Sequence, residues 1–185
     1  TAWGVGAHVE GLGVRPESIV ELDWGEGEKV GSVDVVATPA QHFSGRGIRH
    51  RNSTLWSSWH LRGTRHSFFF GADSGLTSEY ADIARRLGPF DVVALEIAAY
   101  HSSWGDIHLG PDNALKAHAM LGSGAFLPIH WGTFNLAVHP WSEPAEKVYS
   151  IATAAGIPLI MPRIGAPTEP SHSNDADPWG RTVGR

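Results

Sequence analysis

The sequence contains no cysteine, and this absence excludes two kinds of structure. Without thiols the chain forms no disulfide bonds and cannot build the cysteine cages that hold structural zinc. Any metal ion that this protein binds must therefore be held by nitrogen and oxygen ligands. Histidine supplies the nitrogen, and the chain has 11 histidines among its 185 residues.

The chain also lacks long apolar runs and an excess of positive charge. No stretch reaches the roughly 18 consecutive apolar residues that a membrane-spanning helix needs. The formal net charge is −5, which argues against a nucleic-acid backbone as the main partner. We therefore expect no nucleic-acid partner and a cytoplasmic location, with membrane-peripheral attachment as the alternative. A targeting segment cannot be read in a chain that opens at Thr1 without a methionine.

Length and composition indicate a single folded domain followed by a polar tail. A chain of 185 residues, 42% hydrophobic and 18% charged, is large and apolar enough to bury a core. Residues 1–167 are expected to form this domain. Residues 168–185 are polar, with proline, serine and aspartate, and we predict that they are disordered.

Strand and helix patterns alternate along the chain, which predicts an α/β fold. Alternating or continuous apolar segments bounded by glycine and proline predict strands, whereas apolar residues at helical spacing predict helices. Residues 25–28 are predicted to form a turn. The predicted strands are 18–24, 33–38, 53–61, 65–70, 90–99, 125–129 and 157–161. The predicted helices are 76–87, 111–121 and a third that begins near Pro144 and ends at Gly156.

Three predicted strands end shortly before a residue that can bind a metal ion. The strand Phe68–Phe70 runs into a glycine-flanked turn that carries Asp73, while His42 and His130 follow two other strands. Strand ends in open α/β sheets commonly carry ligand-binding groups, so the three side chains converge if these ends share an edge. Two imidazoles and a carboxylate suit zinc, iron or manganese. Two interpretations stay open: a shared metal site, or a helix-capping aspartate and two structural or solvated histidines.

Other polar residues near these strand ends are weaker candidates. His101 and His108 flank a loop rich in glycine, serine and tryptophan that follows the strand 90–99. From there both side chains can reach the same site. Glu96 lies inside that apolar strand, and we interpret it as the partner of a neighbouring polar group and not as a catalytic group.

Four parts of the sequence resemble the metallo-β-lactamase superfamily, in order and with matching spacing. They are Thr38-Pro-Ala-Gln-His-Phe-Ser44, Phe68-Phe-Phe-Gly-Ala-Asp-Ser-Gly75, Gly88-Pro-Phe-Asp91 with Ile97-Ala-Ala-Tyr100, and Ile129-His-Trp-Gly-Thr-Phe134. Within the superfamily they are similar to the N-acylphosphatidylethanolamine-hydrolysing phospholipase D group and its bacterial relatives. The resemblance runs from about Ser18 to Met161.

The resemblance implies a fold, an activity and a set of site residues. The fold would be the C-terminal αβ half of an αββα sandwich. Two zinc ions would activate water to hydrolyse a phosphodiester in a phospholipid-like substrate. In the family, the residues that match His42 and His130 bind one metal ion each. The residue that matches Asp73 bridges both ions, so Asp73 would be a metal ligand and a catalytic residue. His108 lies where the family has a histidine near the site, which implies a catalytic or substrate-binding role.

One family motif is missing from the chain, and several alternatives stay open for that reason. The superfamily's His-x-His-x-Asp-His motif, which supplies four further ligands, does not occur in the sequence. We expect the missing N-terminal half of the fold in a longer protein or in a separate partner chain. A metal-free descendant is the third option. The alternatives to a phosphodiesterase are a sugar-phosphate lactonase with a small-molecule substrate and a non-catalytic binding module. A homo-oligomer is also compatible with the sequence.

Overall fold

A six-stranded sheet, with its strands in sequence order, organises the chain. The computed structural model describes residues 1–45, 50–122, 124–172, 176 and 179–183. The strands are β1 Gly27–Val30, β2 Val33–Thr38, β3 Ser58–Arg62, β4 Ser67–Phe70, β5 Val92–Glu96 and β6 Ala125–Ile129. The first four strands pair antiparallel, whereas β4, β5 and β6 run parallel to one another.

The described residues also form four α-helices and several short 3₁₀ turns. The helices are α1 Gly6–Glu10, α2 Glu79–Leu87, α3 Gly110–Met120 and α4 Glu143–Ala154. The 3₁₀ turns are Pro16–Ser18, Ser102–Trp104, Pro170–His172 and Trp179–Thr182. α2 connects β4 to β5, and α3 connects β5 to β6, as parallel neighbours require. Among the described residues, none of these helices has the length and apolar character needed to cross a membrane.

The sequence of α2 shows why this segment is helical. Tyr80 and Ile83 are three residues apart, which places them on one face, and both are buried. Two acidic residues stand in the first turn and two arginines in the last, which complements the helix dipole. Gly88 follows the helix, and Pro89 behind it cannot supply the N–H that a further turn needs.

One face of the sheet, called here the helix face, is buried against α2, α3 and α4. Phe69, Val93 and Phe126 lie side by side on this face, one on each of β4, β5 and β6, and each is 0% exposed. They form one continuous core with Tyr80 of α2 and Val148 of α4. The helix face therefore has a complete apolar core within the described residues.

The opposite face of the sheet, called here the open face, carries large apolar side chains that stay partly exposed. Phe68 pairs with Leu61 on one side and Val92 on the other, and Phe70 pairs with Trp59 in the next row. All of these side chains have intermediate exposure in the part of the chain that the structure describes. The large, partly exposed apolar residues of the open face on β3 to β6 are Trp59, Leu61, Phe68, Phe70, Val92, Leu127 and Ile129.

The predicted α/β architecture is confirmed, although two predicted strands near the chain's ends were wrong and one predicted turn was only partly correct. The segment 18–24 is not a strand, because Leu22 pairs with the chain's first residues in an isolated bridge to Ala2. Alternating polarity produces a strand only where a neighbouring strand is available for pairing. The segment 157–161 likewise makes only an isolated bridge, between Leu159 and Phe126. The predicted turn at 25–28 includes the start of β1.

Part of the C-terminal tail packs against the domain. Trp179 is 7% exposed, and its ring stacks on that of Trp131 with 5.0 Å between centroids. Arg181 donates two hydrogen bonds to Glu146 of α4, at 2.8 and 2.6 Å. The disorder predicted for residues 168–185 does not account for these contacts, because composition gives no sign that one tryptophan finds an apolar partner. Residues 173–175, 177–178 and 184–185 lie outside the described residues.

Candidate metal centre

The ends of β2, β4 and β6 bring three predicted site residues to one edge of the sheet. β3 pairs antiparallel with both β2 and β4, so these two strands run in the same direction. β5 and β6 continue the sheet parallel to β4. His42, Asp73 and His130 follow the ends of β2, β4 and β6 and therefore emerge at the same edge. A shared site requires this arrangement.

His130 and Asp73 face each other with two hydrogen-bond acceptors. Nδ1 of His130 contacts the carbonyl oxygen of Ala98, which can only accept, so Nδ1 carries a proton. Nε2 then presents its lone pair to Oδ1 of Asp73, 3.5 Å away. Two acceptors this close repel each other unless a proton or another cation lies between them. The pair therefore fits a metal ion bound to both side chains.

His42 shows the same ring arrangement. Its Nδ1 lies 2.9 Å from the carbonyl oxygen of Phe43, so Nδ1 donates and Nε2 keeps its lone pair. Nε2 is buried and has no hydrogen-bond partner among the described residues. Such an unsatisfied buried group costs about 1–3 kcal/mol. Metal-binding histidines commonly donate their second ring nitrogen to a backbone carbonyl or a carboxylate, so this geometry fits a metal ligand.

His108 lies against both His42 and His130. Its ring centroid is 5.2 Å from that of His42 and 5.8 Å from that of His130. Its Nδ1 is 2.9 and 3.0 Å from the two carboxylate oxygens of Glu96, the last residue of β5. β5, the strand between β4 and β6, therefore adds the carboxylate of Glu96 to the polar side chains at this edge.

Glu96 belongs to this site, although its position in the sequence predicted no catalytic or metal-binding role. It is 0% exposed, and it does pair with a neighbour as interpreted. Burial raises the pKa of Glu96, against the effect of the hydrogen bond from His108, and the same bond raises the pKa of His108. Ligand atoms of Glu96, His108 and His130 lie within 4.8 Å of one another, as in a metal-binding triad. The available sequence signal was a single carboxylate at the end of an apolar strand.

Unusual backbone conformations lie next to two of the predicted ligands. Ala72, directly before Asp73, has φ 50°, and His130 has φ 63°. Residues other than glycine seldom adopt this left-handed region, and such conformations concentrate at functional sites. Gly75 closes the same turn, because a Cβ there would lie 1.6 Å from the carbonyl oxygen of Asp106. The turn that carries Asp73 is thus tightly constrained.

Other side chains lie around the cluster that His42, Asp73, Glu96, His108 and His130 form. His101 is exposed and binds Ser103 through Nδ1 at 2.6 Å, so it does not join His108 in the cluster. Trp131 and Phe134 line a cavity that includes His130, and Phe134 is 76% exposed. An apolar wall therefore stands beside the polar edge.

The family of the protein follows from its sequence. A family model for the beta-lactamase superfamily domain matches residues 2–131, which is more than half of the chain. The protein therefore belongs to the metallo-β-lactamase superfamily, a superfamily of metal-dependent hydrolases, and the resemblance found in the sequence is confirmed.

Relatives in this family include proteins of known and unknown activity. An uncharacterised protein of Mycobacterium tuberculosis is 43% identical over 181 residues, which cover 96% of this chain and 48% of the relative. N-acyl-phosphatidylethanolamine-hydrolyzing phospholipase D 1 of Caenorhabditis elegans is 32% identical over 154 residues, 78% of this chain and 43% of the relative. The chain thus spans about half the length of the curated relatives it matches.

Solved structures show the same fold at low sequence identity. Igni18, a metallo hydrolase from the archaeon Ignicoccus hospitalis, matches with a TM-score of 0.61 and 18% identity, over 89% of this chain and 65% of its own. CmlA, a diiron beta-hydroxylase from Streptomyces venezuelae, matches with a TM-score of 0.59 and 21% identity, over 84% and 35%. A hydrolase and a hydroxylase share this fold, so the fold alone does not determine the reaction.

Proposed function

We propose that the protein is a metal-dependent phosphodiesterase that acts on a phospholipid-like substrate through a pair of zinc ions. The observation that carries this proposal is that the rings of His42 and His130 have the same tautomer. Each donates Nδ1–H to a backbone carbonyl and keeps Nε2 for a ligand, and Asp73 stands beside His130. Zinc binds such nitrogen and oxygen donors, as do iron and manganese.

The substrate class rests on relatives and not on geometry. The phospholipase D of Caenorhabditis elegans and a mitochondrial one of Saccharomyces cerevisiae, also 32% identical, both hydrolyse N-acyl-phosphatidylethanolamine according to their names. The cavity beside His130 is compatible with such a substrate, because Trp131 and Phe134 offer an apolar wall for a lipid chain. Hydrolysis of this lipid would take place at a membrane surface, in keeping with a cytoplasmic and membrane-peripheral location.

Each site residue has a role in the proposed reaction. His42 and His130 would hold one ion each, and the carboxylate of Asp73 would hold both. When bound, the ions lower the pKa of water and offset the negative charge that develops on the phosphoryl oxygens. His108, whose ring contacts both histidines, binds the substrate or transfers a proton at Nε2.

The His-x-His-x-Asp-His motif, to which the resemblance assigns four further metal ligands, does not occur in the 185 residues. We propose that a second αβ half supplies them and packs on the open face of the sheet. That face offers large apolar side chains such as Phe68 and Phe70, and a second sheet about 10 Å away would bury them. The relative from Mycobacterium tuberculosis is long enough for such a half, since this chain matches 48% of it.

A substrate comparison with the full-length protein tests the proposal. The protein is loaded with zinc and assayed with N-acyl-phosphatidylethanolamine vesicles, an aryl phosphodiester and a sugar-phosphate lactone. We expect turnover of both phosphodiesters, loss of that turnover after chelation, and its recovery when zinc is restored. His101→Ala is the matched control, because His101 lies near the site but outside the cluster, and it should leave the rates unchanged.

The other outcomes separate the alternatives. Turnover of the lactone with neither phosphodiester would assign the protein to the lactonases. Zinc binding without turnover of any of the three substrates would support a binding module. Failure of the zinc-loaded protein to hold metal would support a metal-free descendant.

A further inference from the structure

We propose that Glu96 is a positioning residue, which holds His108 with Nδ1 protonated and leaves Nε2 for the reaction at the metal edge. The proposal deepens the function proposed above and rests on it for the role of His108 in turnover. The arrangement of Glu96 and His108 itself is independent of the substrate.

The hydrogen bonds of Glu96 determine which ring nitrogen of His108 carries the proton. Oε1 of Glu96 accepts the backbone N–H of Leu109 at 3.0 Å and that of Ser74 at 3.2 Å. A carboxylate that accepts two backbone donors acts as an acceptor toward the ring as well. Nδ1 of His108, at 2.9 and 3.0 Å from the two oxygens, is therefore the donor.

The proton on Nδ1 leaves Nε2 as the reactive atom. All of the hydrogen bonds that the described residues make to His108 end on Nδ1. The ring stacks on His130 and meets His42 edge-on, and Trp104 lies at 5.8 Å from it. Packing against these rings holds the plane of the His108 ring in place. The hydrogen bonds to Glu96 determine which ring nitrogen faces the carboxylate and which nitrogen carries the proton.

The surroundings of Glu96 favour a positioning role over a metal-ligand role. Its carboxylate is fully buried, and its oxygens already accept hydrogen bonds from three N–H groups. His42 and His130, by contrast, each keep a ring nitrogen without such a bond. A buried carboxylate needs donors of this kind, and the three donors come from the turn after β4 and the start of α3. Glu96 therefore links both segments to His108.

Glu96→Gln in the full-length protein tests the proposal. The amide oxygen can replace Oε1 and keep the two backbone bonds, which places the NH₂ group at the position of Oε2, 3.0 Å from Nδ1 of His108. There the NH₂ group repels a protonated Nδ1 and can donate to an unprotonated one. We expect His108 to change to the tautomer with the proton on Nε2, which ¹⁵N NMR of labelled histidine detects. We also expect kcat to fall about 100-fold, at the lower end of general acid–base effects, with KM and zinc content unchanged. Glu96→Asp retains the charge and should recover kcat to within about 10-fold of wild type.

His118→Gln is the matched control for a histidine with a structural role only. His118 is buried in α3, where Nε2 donates to the carbonyl oxygen of Gly124 at 2.9 Å, outside the metal edge. This variant should lose stability but retain kcat and the NMR signal of His108. An unchanged His108 tautomer in Glu96→Gln, or loss of zinc with Glu96→Gln, overturns the proposal. So does a wild-type protein in which the neutral His108 ring carries its proton on Nε2 and not on Nδ1. If wild type cleaves no phosphodiester but Glu96→Gln still changes the tautomer, the positioning of His108 stands and the proposed function fails.

Discussion

The two faces of the central sheet are built from similar residues but have different surroundings. Phe68, Phe69 and Phe70 are consecutive in β4, and their side chains alternate between the faces. Phe69 lies on the helix face and is 0% exposed, whereas Phe68 and Phe70 lie on the open face and are partly exposed. The difference arises from α2, α3 and α4, which cover one side only in the described residues. It shows which side of the sheet is available for the second half that we propose.

The largest expected effect separates the two faces directly. Phe69→Ala removes a fully buried ring and leaves a cavity, which should reduce the free energy of unfolding by about 3–5 kcal/mol. Phe70→Ala makes the same change on the open face and should cost about half as much in this chain, since less of its surface is buried. Chemical denaturation of both variants measures the difference.

The same pair of variants tests what covers the open face. If a second αβ half packs there, the cost of Phe70→Ala should approach that of Phe69→Ala in the full-length protein. Equal costs already in the 185-residue chain would contradict the contrast between the faces. An unchanged small cost in the full-length protein would contradict the proposed packing.

A smaller effect concerns the protonation of two buried histidines, His60 and His118. Burial lowers the pKa of His60 and of His118, so both are neutral in the folded protein. Their folded-state pKa lies below the unfolded value of 6.5, so their contribution is complete above pH 6.5 and is lost as the pH falls toward the folded-state pKa. The free energy of unfolding should therefore decrease between pH 7 and pH 5. His118→Gln should make this decrease shallower, and the same slope in the variant and wild type would remove His118 from the explanation.

The sequence predicted the parallel half of the fold more accurately than its margins. β6 was predicted at its observed bounds, because Ala125–Ile129 is a continuous apolar run between glycines and His130. The strand predicted at 18–24 failed because its alternation has no neighbouring strand to pair with, which a local pattern cannot show. The burial of Trp179 escaped prediction for the same reason, since its partner Trp131 is distant in the chain.

The candidate site was predictable where residues follow strand ends. His42, Asp73 and His130 could be named because topology places the ends of similarly directed strands at one edge. Whether they bind metal in the assigned roles stays a prediction. Glu96 was assigned no chemistry, because only the folded chain shows that His108, Leu109 and Ser74 donate to its carboxylate.

The most direct test of the metal centre is Asp73→Asn in the full-length protein, with zinc content and phosphodiester turnover measured on the same sample. The amide keeps the shape of the side chain but not the charge that holds two cations. We predict about two zinc ions per chain in wild type, fewer in the variant, and a turnover lower by about 1,000-fold or more. Asp82→Asn is the matched control, because Asp82 pairs with Arg85 on the surface of α2, and it should change neither quantity. Full turnover and full zinc content in Asp73→Asn would contradict the assignment of this edge as the catalytic metal centre.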